Sequence, residues 1–198
     1  LYAIAEKQLN ALDTITAFNM DILENKNTIH AEVLRALEKA RRQYGGRLML
    51  VANLPYNVGS CVMANLITGP VTADAMVVTV QKEVADRMAA APHHDAYGTL
   101  SILMAATGDV HVLRKLPAAV FWPRPKVESA VVSFWRDPAR AGQIHDMLTF
   151  RRVIALFMGH RRKMLKAAAR TAAGPLGQIT HWNDIFAESV VDPHKRPE

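Results

Sequence analysis

The chain has a single cysteine, Cys61, and no apolar run approaching the length of a membrane span. None of its ten glycines forms a Gly-x-Gly-x-Gly series. One thiol excludes an intramolecular disulfide and fits a reducing, cytoplasmic setting. Cys61 is expected to pack as a small buried hydrophobe on a helix. Without about 20 consecutive apolar residues no membrane-crossing helix is expected. Metal ligands are scarce as well: His93 and His94 stand beside Asp95, but adjacent residues point apart and no further ligand pair exists, so no metal is expected. Leu1 to Lys7 reads as helix, with neither an initiator Met nor a signal peptide, and an N-terminal truncation is expected.

What remains is a basic chain with a substantial core. Its 198 residues, half of them hydrophobic, suffice for one domain and a small appendage. The net charge of +6 is unevenly placed. From Arg136 onward there are eleven Lys and Arg against six Asp and Glu, a net of +5, which points to a polyanionic partner. Phe150 to Arg170 is helix-forming and carries seven basic and no acidic residues. Arg162, Lys166 and Arg170 recur every four residues and would share one helix face, with Arg161 and Lys163 beside them. A solvated face is the ordinary reading of such a pattern, and a phosphate-contacting surface the alternative.

The most informative stretch runs from Leu48 to Tyr56. Five apolar residues suit a strand buried on both faces, and Asn53-Leu54-Pro55-Tyr56 follows at its end, where open α/β sheets bind ligands. A turn is the bland reading. A chance Asn-Leu-Pro-Tyr in a chain this long is on the order of one in a thousand. The chemistry of adenine N6 gives the tetrapeptide a use. That amine is a poor nucleophile because its lone pair is delocalised into the ring. Two acceptors on its N–H groups, the Asn53 side chain and the Pro55 carbonyl, would favour a tetrahedral nitrogen. Proline fixes its own φ and holds Leu54 extended. Tyr56 offers a face on which an extruded base can stack.

Around this stretch the spacing predicts helices over 2–10, 28–43, 58–67, 81–90 and 96–106, and strands over 14–18, 75–80, 110–113 and 127–135. The last two strands form an antiparallel hairpin. Asp137 to Gly142 reads as a linker. Asp21, just past the 14–18 strand, could accept a hydrogen bond from a nucleoside amine or serve as a helix cap. Phe121-Trp122-Pro123-Arg124-Pro125 cannot be regular structure, since two prolines remove donors. Phe121 and Trp122 either plug the core, Trp122 more so, or line a site.

Asn53-Leu54-Pro55-Tyr56-Asn57 after a hydrophobic strand resembles the target-base motif of the ribosomal RNA adenine N6-dimethyltransferases. Two more stretches match that family in order and spacing: Gln81 to Arg87 with Ala96 to Ser101, and Phe121 to Val132. The resemblance covers nearly the whole chain from about Asp13. It implies a Rossmann-like α/β methyltransferase core, lacking its N-terminal part, over 1–136. A small α-helical, basic, RNA-contacting domain would follow over 137–198. It further implies S-adenosylmethionine as methyl donor and the assembling small ribosomal subunit as partner, with a monomeric enzyme. The base-capturing and catalytic residues would be Asn53, Leu54, Pro55, Tyr56 and, opposite Tyr56, Phe121. Asp21 and Asn53 would touch the cofactor. RNA would be met by Arg124, Lys126, Arg161, Arg162, Lys163, Lys166 and Arg170. The family's glycine-rich loop and second acidic residue have no counterpart here, which puts cofactor binding by this stretch alone in doubt. Rival readings are an erythromycin-resistance-type 23S methylase, which usually has Ile at the place of Leu54, and a DNA adenine methylase with Pro there. A non-catalytic RNA-binding assembly or mitochondrial transcription factor on the same fold is a further rival.

Overall fold

A computed structural model describes residues 2–9, 12, 14–26 and 28–197. Residues 10 and 13, where two of the expectations above begin or end, lie outside them. The opening helix α1 (Tyr2–Leu9) buries nothing. Residues 14–18, expected as a strand, form none. An extended segment becomes a strand only by pairing, and this one is mostly exposed, with no ladder partner among the described residues. The first pairing is a small antiparallel ribbon, β1 (Leu23–Asn25) with β2 (Thr28–Ile29). Thr28 and Ile29 are therefore strand rather than helix. Helix α2 (Ala31–Tyr44) starts later, capped by the His30 ring on the Glu32 N–H, and stops at Gly45 in the left-handed region, φ 61°.

The main sheet has β3 (Met49–Asn53), β4 (Ala75–Gln81), β5 (Gly108–Leu116) and β6 (Ser129–Arg136) in the order β3-β4-β6-β5. The first pair is parallel, joined through helix α3 (Gly59–Thr68), and the other pairs are antiparallel. This is the mixed α/β sheet with the antiparallel closing hairpin that the sequence implied. Helices α4 (Lys82–Ala89) and α5 (Thr99–Thr107) lie between β4 and β5 in the chain. The core gathers one face of α3, including Val62, Met63 and Ile67, against Met76, Val78, Met104, Val132 and Phe134. The strands buried on both faces are the central pair β4 and β6, not β3 as expected. Among the described residues β3 lies at the sheet edge, with Val51 74% exposed, so its apolar run is not covered on two faces here. Cys61 is half-buried.

Beyond β6 the chain is helical. Asp137 to Gly142 is not a loose linker: α6 (Pro138–Gly142) is capped by the Asp137 carboxylate on the N–H groups of Ala139 and Arg140. Arg140 pins it by ion pairs to Asp109 (2.7 Å) and Asp137 (2.8 Å). Helix α7 (Met147–Gly159) is capped by Asp146, and α8 (Leu165–Ala169) and α9 (Trp182–Glu188) follow. Phe157, Trp182 and Phe186 make a small aromatic cluster with Leu165 and Ala169. The expected continuous helix over 150–170 is thus two helices broken at His160 to Met164. Met164 is extended, and the first N–H groups of α8, at Leu165 and Lys166, donate to the carbonyls of Lys195 and Pro193 instead of to a preceding turn.

Candidate functional site

The end of β3 is shaped by hydrogen bonds to its neighbours. The Leu54 N–H donates to the Thr79 carbonyl (3.1 Å), carrying the β3–β4 ladder one residue past the strand and burying the Leu54 side chain. Pro55 then turns the chain, and its carbonyl accepts from the N–H groups of Val58 (3.2 Å) and Gly59 (3.0 Å), opening α3. A Cβ at Gly59 would lie 3.2 Å from the Leu54 Cβ, so glycine lets the helix start close against the strand end. These bonds bear on the acceptor pair expected from the sequence. Two donors already occupy the Pro55 carbonyl, whereas the Leu54 carbonyl accepts no hydrogen bond among the described residues.

Asn53 is exposed at the mouth of a cleft of about 360 Å³, which Leu54, Pro55 and Tyr56 line on one side. Phe121, Trp122 and the two prolines of the 121–125 loop form the other side. The volume falls at the lower end of ligand clefts, about 300–1,000 Å³. Among the described residues, close ring pairs occur within the Phe157–Trp182–Phe186 cluster, so Tyr56 and Phe121 share the cleft without stacking on each other. The Tyr56 hydroxyl lies 2.7 Å from the Ser129 Oγ, which is fully buried at the start of β6. Sequence reasoning assigned Ser129 no role; it stands inside the third motif block, but no local spacing foretells its pairing with Tyr56. Trp122 does not plug the core: it is 96% exposed.

The two other motif residue sets turn out to carry structure. Within α4, Lys82 pairs with Asp86 (2.7 Å) and Arg87 with Glu83, each one helical turn apart. The hydrogen bond that Lys82 donates to the Asp86 carboxylate is the main cause of a Lys82 ammonium held above its ordinary value. Buried Ser101 accepts from the Gly98 N–H and donates to the Arg87 carbonyl, tying the start of α5 to the end of α4. Near the far end of β6, burial lowers the Arg136 guanidinium from its ordinary value, against the opposing pull of Asp74. Its Nη1 donates to the Ile67 carbonyl.

The remaining expected residues are dispersed. Asp21 is exposed, and its Oδ1 accepts from the Leu23 N–H (3.0 Å), an Asx turn opening the β1–β2 ribbon; it does not line the Asn53 cleft. Arg124 and Lys126 are exposed on the same loop as Phe121. Arg162 and Lys163 are exposed in the turn between α7 and α8, while half-buried Arg161 points back to the carbonyls of Asp95 and Tyr97 (3.4 Å each). Lys166 and Arg170 instead line a cavity of about 560 Å³ with Thr180, Asn183 and His194, and the Lys166 ammonium sits 3.1 Å from the His194 Nδ1. Among the described residues no group of three or more His, Cys, Asp or Glu could hold a metal, and no helix is long and apolar enough to cross a membrane.

A sequence model of the family described as Ribosomal RNA adenine dimethylase matches residues 1–189. The chain is 41% identical over 162 residues to a Ribosomal RNA small subunit methyltransferase A from Phenylobacterium zucineum, covering 81% of this chain and 53% of the relative. A protein of the same name from Lactiplantibacillus plantarum is 36% identical over 199 residues, covering all of this chain and 65% of its own length. The chain thus spans about half to two thirds of the length of the curated relatives it matches. Among solved structures, a dimethyladenosine transferase from Plasmodium falciparum superposes with a TM-score of 0.67 at 18% identity, over 99% of this chain and 65% of that one. The 23S rRNA methyltransferase ErmE gives 0.55 at 14% identity, over 98% of this chain and 70% of that one. At such identities these two superpositions speak for the fold alone.

Proposed function

Because the chain belongs to the ribosomal RNA adenine dimethylase family, we propose that the protein dimethylates adenine N6 in small-subunit ribosomal RNA, and that this chain builds the half of the site that holds the adenine. The observation that carries the reading is the free Leu54 carbonyl beside the exposed Asn53 side chain, in one cleft with a tethered Tyr56 and with Phe121. The Asn53 side-chain oxygen and the Leu54 carbonyl each accept one N–H of the amine. The role first assigned to Pro55 passes to Leu54, and Pro55 keeps that carbonyl in place by fixing the turn. With both N–H groups engaged, the nitrogen lone pair is drawn out of conjugation with the ring and towards the methyl donor. The base itself is held between the Tyr56 and Phe121 rings.

S-adenosylmethionine would supply the methyl group, its sulfonium being electrophilic enough to react with a neutral amine. With that donor bound, its sulfur–methyl bond would break as the N6–methyl bond formed, the neutral thioether would leave, and the proton on the cationic nitrogen would pass to solvent; a second donor molecule would repeat the step. The residues described here do not by themselves build a pocket for that donor. One Asp21 oxygen is spent on Leu23, and the cleft at Asn53 does not include Asp21.

The stretch 137–198, with its net charge of +4, acts as a helical RNA-contacting unit, and Arg124 and Lys126 meet phosphates at the rim of the cleft. The work is done in the cytoplasm on the assembling small subunit. The test is Asn53→Ala in the full-length enzyme. The methylation rate should fall by at least about 10²-fold, the usual loss when one positioned transition-state hydrogen-bonding group is removed, while RNA affinity stays within twofold or so. Equal rates for the two proteins would refute the assignment.

A further inference from the structure

We propose that Trp122 is a stacking platform for a second unpaired nucleobase, the neighbour of the base captured at Asn53 and Tyr56. The inference rests on the reading of the cleft as an adenine-capturing site. Tryptophan is among the side chains most buried on average. In this chain Trp182 packs edge-on against Phe157, and Trp135 is 42% exposed, whereas Trp122 stands at 96%. An indole left so open has no packing role to explain it. It also sits at a definite place, on the rim of the same cleft as Asn53, Tyr56 and Phe121.

Three features select a nucleobase as its occupant. The cleft at about 360 Å³ has room for one base, so the strand that delivers that base must carry its neighbours past the rim, where Trp122 stands. Arg124 and Lys126 are exposed within four residues of Trp122, cations placed to meet the phosphates on either side of a stacked base. Pro123 and Pro125 flank Arg124 and restrict the loop, so the indole is presented with little backbone freedom to lose on binding. An aromatic face beside paired cations is how single strands are held without sequence readout, because every base has a π-face.

The test uses oligouridylate carrying one adenosine, with 2-aminopurine placed immediately 5′ or immediately 3′ of it, titrated with the chain. Stacking on indole quenches the 2-aminopurine. We expect quenching at one of the two positions, dependent on the adenosine, lost in Trp122→Ala and largely kept in Trp122→Phe. The dissociation constant should rise by about 5- to 150-fold in the alanine variant, the cost of one stacked base. Because the side chain is exposed, both variants should keep the wild-type circular dichroism. Equal quenching and affinity for wild type and Trp122→Ala overturn the inference and leave a protein partner as the occupant of the indole. If Tyr56→Ala still weakens adenosine-dependent binding in that case, the cleft reading survives. Quenching that needs Trp122 but ignores replacement of the adenosine by uridine overturns the cleft reading, and with it the inference as stated.

Discussion

The Tyr56 hydroxyl and the buried Ser129 Oγ are 2.7 Å apart, joining the turn after β3 to the first residue of β6 across 73 residues of sequence. A tyrosine that only stacked on a base would do as well as phenylalanine. Here the hydroxyl is used to set where the ring stands. Tyr56→Phe and Ser129→Ala should therefore each lower the methylation rate of the full-length enzyme by roughly 2- to 10-fold, the worth of one net hydrogen bond of about 0.5–1.5 kcal/mol. RNA affinity should be unchanged in both. Tyr56→Ala removes the ring as well and should lose binding in addition. Steady-state kinetics with separate determination of the RNA dissociation constant makes the comparison. If Tyr56→Phe behaved like Tyr56→Ala, the ring would have no stacking role.

Gly108 tests the sheet rather than the site. It begins β5 directly against β6, where an added Cβ would fall inside contact distance of the Trp135 carbonyl and 2.7 Å from the Phe134 ring. Both are fixed parts of the core, so neither can move aside cheaply. Gly108→Ala should destabilise the fold by about 1–3 kcal/mol, as overpacking does. Gly142→Ala meets nothing within 4 Å at the end of α6 and should leave stability almost unchanged. Urea midpoints of the two variants decide it, and equal midpoints would mean the β5–β6 pairing is looser than described.

The helical end of the chain should be acid-sensitive through two capping carboxylates. Arg140 holds Asp137 below its ordinary value, first through the side-chain bond and then through its backbone N–H. Thr149 does the same for Asp146 through its hydroxyl and N–H. A carboxyl whose pKa is lowered by folding stabilises the fold in full above the unfolded value of 3.8, and that contribution is lost as pH falls through the still lower folded value. Asp146→Asn keeps a capping oxygen without the charge. Its urea midpoint should accordingly vary less than wild type below pH 3.8, with the two curves parallel above it. Parallel curves throughout would show that Asp146 does not contribute by its ionisation.

The parts of the molecule legible in the sequence were those determined locally. Apolar runs bounded by Gly, Pro and Asn located β4, β6 and α3 to within about two residues, and the Asn53 to Tyr56 motif led to the cleft. The errors share one cause, tertiary pairing that no local pattern encodes. Residues 14–18 have strand composition but no partner strand among the described residues. β3 has a buried strand's composition but an edge position. The rigidity of Pro55 suggests its carbonyl as the acceptor for adenine, yet rigidity says nothing of which neighbouring N–H will claim it. Ser129 was invisible for the same reason, since its role exists only when β6 is laid beside the turn after β3.

The broken helix changes what the basic residues should do in RNA binding. In one continuous helix Arg162, Lys166 and Arg170 would form a single row. Instead Arg162 and Lys163 lie in the exposed turn after α7, while Lys166 and Arg170 line the cavity that also holds His194. These are two sets of cations, and a polyanion could use either or both. Each phosphate contact adds about 0.7–0.9 to the slope of log affinity against log salt, the smaller value for single strands. If RNA crosses both sets, Arg162→Ala with Lys163→Ala should flatten the slope by about 1.4–1.8, and Lys166→Ala with Arg170→Ala by a similar amount. The four changes together should then add, because the two sets touch different phosphates. Weakening should be uniform across RNA sequences, since phosphates carry none. Arg161→Ala should behave differently. Its guanidinium reaches the Asp95 and Tyr97 carbonyls, so its loss should lower stability more than salt dependence. A slope that responds to only one pair locates the RNA path on that side of α8. A slope unmoved by all four substitutions would show that these cations merely face water, and that the RNA contacts of the chain lie elsewhere.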